Sequence, residues 1–498
     1  MLLRATFILA LISGVSAGTS RADTLDEIRA RGTLLWGGDQ EGGGPYIYPD
    51  PDNPRQVTGF EVDLGEALAR ELGVKAQFSA GLWNSLPDLL KTGSIDVVLN
   101  GYELTGTRAS SMLHSAPYFI YELVLLGRRD NGQLRSWDDL GRPATGMKWR
   151  VGILDTSAAR QFLSARFPDT VELVSYEGNT DAMREVEVGK LDATVADSPI
   201  YPFYRDRFTA LEPLGEPVEP GYYVAYMRKD DQRLRAEVDK ALDRLLKSGE
   251  LQAIYEKYGL WSKLQEKLPT LIGQSDAALG VRGSATGGWK AVVDRGPLLM
   301  QSALITIFLA CVSMPLAIAV GLFVAIGRLY GPRPLGWLLT AYVEFLRGTP
   351  LLLQLYFIFY LLPEVGLRIP AVGAAILGLA INYSAYEAEI YRAGIQAIPR
   401  GQMEAALALG MSPALAIRRI IVPQAVRLVI PPVTNDFIAL FKDTSVCSVI
   451  TVVELTKQYS IQRNDTGATV ELAILTSILY MLMSLPLSWI THRMEKRN

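Results

Sequence analysis

Cysteine and histidine are almost missing from this 498-residue chain. The two cysteines, Cys311 and Cys447, both lie in its second, apolar half, which excludes a disulfide framework for the first. His114 and His492 stand far apart, so no His/Cys metal cluster is available and no metal is expected. Neither sign of charge dominates: 49 Lys and Arg against 52 Asp and Glu give a formal net charge of -3, which argues against a nucleic-acid partner. Nor is there a G-x-x-x-x-G-K-[ST] stretch, so the chain has no phosphate-cradling loop of its own.

What is present divides the chain in two. Residues 23–262 carry charge throughout, with regular turns, whereas residues 298–490 hold several apolar runs on the scale of a bilayer crossing. A chain of 498 residues is too long for one ordinary core, so two or three domains are expected. Residues 1–22 have a basic start at Arg4, a short apolar stretch and small residues before Asp23, the pattern of a secretory signal. An uncleaved anchor is the alternative, and either one exports the domain that begins at Asp23.

From Asp23 short apolar strands alternate with amphipathic helices: GTLLWGG, FEVDLGEALARELG, VKAQFSA, LWNSLPDLLKTG and IDVVLNG. A second such series begins near Arg150. The alternation predicts two α/β lobes built from βαβ units. YYVAYMRKD and the helical stretch from Gln232 read as a return to the first lobe, with crossovers near residues 118–122 and 217–222, which makes a hinge around a cleft. Lobe 1 is therefore expected at about 23–118 and 222–262, and lobe 2 at about 122–217. Residues 263–295, rich in Gly, Ser and Ala, read as a tether.

Five membrane spans are expected, at about 298–327, 341–362, 371–393, 428–453 and 469–490. Export of the first domain puts the start of span one outside and the C-terminus inside. Basic residues agree. The predicted cytoplasmic loops hold Arg328, Arg333, Arg392, Arg400, Arg418, Arg419, Arg427, Arg493, Lys496 and Arg497, and the predicted outer loops only Arg295, Arg368, Lys457 and Arg463. This topology places GQMEAALALGMSP, residues 401–413, in the cytoplasm. Strong helix formers there give one short helix, Gly410 lets the backbone turn, and SPALAIRRIIVPQ starts a second. Ala405, Ala406 and Ala408 offer a low-relief face to another protein and Glu404 one charge; a loop helix lying on the membrane is the plainer alternative.

The spacing resembles the EAA loop of binding-protein-dependent ABC importer permeases: Glu404-Ala405-Ala406, then Gly410, Ile420 and Pro423, with Val422 where that family usually has Leu. FLRGTPLLLQLYF, EAEIYRAGIQAIPRGQ and FIALFKDTSV are similar to its polar amino-acid branch, so the resemblance covers residues 296–493. It implies a type I permease fold and a coupling loop, 396–425, whose Glu404, Ala405, Ala406 and Gly410 dock on a cytoplasmic ABC ATPase dimer. ATP would be used by that separate partner and no cofactor bound by this chain, which is then a transport subunit rather than an enzyme. A second permease chain, identical or different, is also implied, in a bacterial inner membrane with the binding domain in the periplasm.

Residues 25–262 resemble the periplasmic amino-acid-binding proteins of the same systems, a type II two-lobe fold, on GFEVDLGEALARELGV, WNSLPDLLKTGSIDVVLNG and LTGTR. An amino acid needs a fixed cation and a fixed anion, and the planar fork of arginine suits its carboxylate. The resemblance gives Arg108 that role, Asp197 the ammonium, Trp83 an aromatic lid, Asp39 a contact to a basic side chain, and Gly101 a backbone contact. Three departures stand out. Glu103 replaces a common Ser or Thr; Ala158 and Ala159 replace polar groups; and Gly42 replaces an aromatic, leaving Tyr46 or Tyr48 as the other wall. Asp39, Glu41, Glu103 and Asp197 against Arg108 make the cleft acid-rich, which favours a basic or neutral polar amino acid.

In the apolar half Asn382, Glu387, Asn435 and Asp436 are candidates for a translocation path, since polar groups in a bilayer face a cavity or a partner. Lys442 and Asp443 either join them or pair with each other. A ligand-gated channel, or a sensor using the same outer domain, is the rival reading; the lack of a T-V-G-Y-G-like filter counts against the channel.

Overall fold

The computed structural model describes residues 23–40, 43–143, 146–154, 157–281 and 288–495. The expected signal segment, Glu41 and Gly42 lie outside the described residues. Five strands form the first sheet, in the order Lys75–Ala80, Thr33–Gly38, Val97–Val98, Tyr226–Met227, Leu113–His114. Thr33–Gly38 runs parallel to both its neighbours, because the helices Phe60–Glu71 and Leu86–Thr92 return the chain to the same edge each time. Helix Phe60–Glu71 buries Phe60, Leu64, Ala67 and Leu68, a helical stripe, against that sheet.

The second sheet runs Leu211–Pro213, Phe119–Arg128, Ala193–Asp197, Trp149–Leu154, Val171–Tyr176. Val218–Tyr223 pairs antiparallel with Phe119–Arg128, placing Tyr223 opposite Phe119 and Gly221 opposite Tyr121. The chain enters lobe 2 on Phe119–Arg128 and leaves it on Val218–Tyr223. Both crossing strands therefore lie side by side, and rotation about them opens or closes the cleft.

The segment expected to be a tether starts as part of this domain. Gln265–Leu271 forms a 3-10 turn in which Leu268 and Leu271 are buried, and Leu279 follows them. The buried Gln265 amide donates to the Ile120 carbonyl (2.7 Å) and accepts from the Ile120 N–H (3.0 Å), so it grips a crossing strand. At the other end a helix already begins at Trp289.

The apolar half is helical, with two departures from the expected spans. The 341–362 segment is broken at Thr349-Pro350 into Arg333–Gly348 and Leu351–Tyr356, since proline lacks an N–H and drives its predecessor out of the α region. The fourth helix, Val422–Asp443, stops short of the expected 453 and passes into a 3-10 turn, Thr444–Ile450. The other expected spans lie within Trp289–Tyr330, Ala371–Gln396 and Thr469–Glu495. By length and composition, Trp289–Tyr330 and Thr469–Trp489 are apolar enough to cross a membrane. An unforeseen polar helix, Leu455–Thr466, is capped by the Glu454 carboxylate, which accepts from the N–H groups of Thr456 (2.8 Å) and Lys457 (2.7 Å).

Candidate functional site

The cleft is built around Arg108, in a short helix, Gly106–Ser111, whose N-cap Thr105 accepts from the Arg108 N–H. Its guanidinium lies over the rings of Tyr102 (4.6 Å) and Trp83 (5.5 Å), which pack on each other at 4.1 Å, and the Tyr102 hydroxyl donates to the Trp83 carbonyl. Burial alone would pull the Arg108 pKa down, but the Glu103 carboxylate beside it, together with Tyr102 and Tyr226, outweighs that, so it is raised. Glu103 is buried, with one oxygen 2.5 Å from Arg108 Nη1 and the other accepting the Ala158 N–H at 2.9 Å. Ala158 opens the lobe 2 helix Ala158–Arg166, so a lobe 1 carboxylate spans the cleft.

Asp197 ends the strand Ala193–Asp197 and accepts from the Tyr223 hydroxyl at 2.5 Å. Tyr223 in turn shares a 2.7 Å hydrogen bond with Tyr46. Burial, helped by Glu103 and opposed by the Tyr223 hydrogen bond, pushes the Asp197 pKa well above the usual carboxylate range. Tyr46 is the aromatic wall; Tyr48 turns away to Phe203 at 5.0 Å.

Trp83, Gly101, Glu103 and Asp197 share one cavity with Tyr46 and Asn179. Its ≈ 30 Å³ is room for a water, not an amino acid. Arg108 lines a neighbouring cavity of ≈ 50 Å³, with Asn84, Asp88 and Arg463, rather than this one. Asp39 lies on the outer side of Trp83, accepting the Trp83 N–H (2.8 Å) and donating its own N–H to the Asn100 side chain (2.7 Å). Gly101 has φ +60°, and a Cβ there would lie 2.8 Å from the Tyr46 ring. Its N–H, expected to face a ligand, instead donates to Glu61 at 2.6 Å. Glu61 also accepts from the Tyr118 hydroxyl (2.5 Å), and burial raises its pKa to about 7. Sequence reading missed Glu61, Tyr223 and the Ala158 amide. A glutamate on the apolar stripe of helix Phe60–Glu71 and a tyrosine in a crossing strand were the available signals.

The cleft mouth meets the apolar half. Arg463, on the helix Leu455–Thr466, pairs with Asp88 of lobe 1 (2.9 Å) and donates to the Asn84 carbonyl (3.0 Å). Lys457, on the same helix, lies 3.6 Å from Glu177 of lobe 2, and Lys190 of that lobe donates to the Phe359 carbonyl at 2.9 Å. One helix thus touches both lobes across the opening where Asp39 and Trp83 lie.

Within the helices, Asn382 and Asp436 line a cavity of ≈ 510 Å³ with Tyr383, Tyr386, Arg347 and Asp443. The Asn382 amide donates to Gln354 (3.1 Å), and the Tyr383 hydroxyl to Asp443 (2.7 Å). Glu387 and Asn435 are not brought to it: Glu387 is buried against Gly321, and Asn435 is exposed. The 396–425 loop carries the helix Arg400–Ala408, closed at Gly410 (φ +79°), and then Pro413–Ala416, capped by Ser412. Glu404 and Ala405 are exposed, but Ala406 is turned inward, so the low-relief face is narrower than expected. Leu409 is 84 % exposed and Leu407 and Leu415 stand open beside it, an apolar surface that the described residues leave uncovered.

Residues 317–498 match the family model of the binding-protein-dependent transport system inner membrane component, and residues 38–260 that of the bacterial extracellular solute-binding proteins, family 3. The L-cystine transport system permease protein TcyB of Bacillus subtilis (strain 168) is 37 % identical over 202 residues, 40 % of this chain and 86 % of that protein. The chain belongs to the binding-protein-dependent permease family. To the glutamine transport system permease protein GlnP of Escherichia coli (strain K12) the permease is 35 % identical over 215 residues, 42 % of this chain and 96 % of that one. In the outer half, the ancestral amino acid-binding protein AncCDT-1 is 32 % identical, covering 47 % of this chain and 99 % of that one, with a TM-score of 0.43. The permease is a membrane protein with a two-lobe solute-binding domain fused ahead of its helical domain.

Proposed function

We propose that this chain is the combined substrate-binding and permease subunit of an ATP-driven importer of amino acids, basic ones preferred. A single observation carries the reading: one helix, Leu455–Thr466, holds both lobes of the binding domain with the cleft mouth on the helical domain. A ligand released by the opening lobes is then delivered to the permease without diffusing away. Fusion supports the same economy, since joining the two domains in one chain keeps the binding domain at high effective concentration beside the permease. Relatives named for cystine and glutamine transport support an amino acid as cargo. Asp197, Asp39 and Glu103 outnumber Arg108, which supports a cationic one. Asn382 and Asp436 would line the translocation path. Glu404, Leu407 and Leu409 would meet a cytoplasmic ATPase dimer, and a second permease chain would complete the pore. The bacterial inner membrane, binding domain outward, follows from that arrangement. The permease family of the helical half leaves the channel and sensor readings without support.

Isothermal titration of the full chain in detergent against the twenty amino acids tests the cargo. Arginine or lysine is expected to bind most tightly; binding of none would defeat the amino-acid reading.

A further inference from the structure

Two groups from opposite lobes converge on one carboxylate, and that carboxylate belongs to the chain. Glu103 meets the Arg108 guanidinium on one oxygen and the Ala158 N–H on the other. A guanidinium facing the first turn of a helix is a general anion site, and Ala158–Arg166 is a nine-residue helix entered at that amide. The side chains of Arg108 and Glu103 are 11 % and 2 % exposed, so the pair is held out of water, where an added like charge is costly. An amino acid whose carboxylate is to reach Arg108 meets a site already filled, with only ≈ 30 Å³ of free space beside Glu103 and ≈ 50 Å³ beside Arg108.

We propose that Glu103 is a resident stand-in for the ligand carboxylate, which holds the empty cleft closed and must swing aside when an amino acid enters. This rests on the amino-acid reading above and makes Glu103 a specificity-determining residue. The backbone stays in place during the exchange, because the Glu103 carbonyl is fixed by Arg108 Nη1 (3.0 Å) and the Tyr226 hydroxyl (3.1 Å); only the side chain moves. Its cost is twofold. Every amino acid competes with Glu103 for Arg108, which weakens binding. The displaced carboxylate also stays near Asp197, which penalises acidic ligands more than basic ones.

The test uses the full chain in detergent and two variants: Glu103→Ala, and Glu103→Gln, which keeps the shape and removes the charge. Titration with L-arginine and L-glutamate gives affinity and selectivity; hydrogen–deuterium exchange without ligand reports the Ala158 amide. Both variants are expected to bind arginine at least tenfold tighter, with glutamate gaining more than arginine. In Glu103→Ala, peptides spanning Ala158 should exchange several-fold faster, whereas the glutamine carbonyl can still accept that N–H. Arginine affinity that is unchanged or weaker, or unchanged exchange at Ala158 in Glu103→Ala, overturns the proposal. Should no amino acid bind the parent chain or either variant, the amino-acid reading fails, and exchange at Ala158 alone decides whether Glu103 closes the cleft.

Discussion

The cleft of the solute-binding domain and the 396–425 loop treat their polar and apolar groups in opposite ways. In the cleft, Arg108, Glu103, Asp197, Tyr223 and Tyr46 satisfy one another, and little space remains. On the loop, Glu404, Leu407 and Leu409 stand in the open. A group that already has an internal partner can be exchanged for a ligand at modest net cost, since one hydrogen bond replaces another. An exposed leucine gains only when something covers it. The outer half is built to exchange contacts and the loop to acquire them.

The sharpest way to break that contrast is at the loop. Glu404→Lys should abolish uptake while leaving amino-acid titration of the same preparation unchanged; normal uptake would remove the loop from the coupling path. At the cleft, Arg108→Ala should weaken amino-acid binding by roughly a hundredfold, in line with ~3 kcal/mol for a buried charge-assisted contact. Titration calorimetry checks it.

Asp197 sharpens the comparison through pH. Its carboxyl pKa is raised by burial, and a ligand ammonium favours the ionised form, so binding should release a proton. Affinity should therefore fall as pH drops below the ligand-free pKa, and enthalpies in buffers of different ionisation heat should reveal the release. Asp197→Asn should bind more weakly and lose the proton signal.

Smaller effects are expected where the halves meet. Arg463→Ala removes a half-exposed ion pair worth about 0.5–1 kcal/mol, so uptake at low substrate should fall only a few-fold and binding not at all. Glu61 gives the last test, in stability. Its carboxyl has a folded pKa of about 7 against an ordinary 4.5, so the folded state holds the extra proton between those values. Stability is then fullest below 4.5 and is lost as pH rises to about 7. Glu61→Gln should raise the melting temperature of the binding domain at pH 8 and leave it little changed at pH 4.5.

Much of this was legible in the sequence because it is local. Strand and helix alternation and the turn at Gly410 follow from periodicity or single residues, whereas the break at Thr349-Pro350 interrupts a span expected to be continuous over 341–362. The pairing of Glu103 with Ala158 was not, because it joins positions 55 residues apart across a cleft. Leu268 and Leu271 were hidden among charged and polar neighbours and a proline, and Leu279 among Ala and Gly, although three leucines suffice to anchor a short segment on a core. Ala406 turned inward for a similar reason: a four-residue pattern of alanines does not say which side of a short helix is covered. Of the four candidates for the translocation path, helix register separated Asn382 and Asp436 from Glu387 and Asn435, and that depends on neighbouring helices that no single segment specifies.

The union of capture and translocation in one chain is tested most directly by uptake of radiolabelled arginine into right-side-out vesicles from cells expressing the chain with its native ATPase and no separate binding protein. Uptake that requires internal ATP and disappears in Arg108→Ala is the expected result. Uptake that depends on an added binding protein, or that persists unchanged in Arg108→Ala, would contradict it.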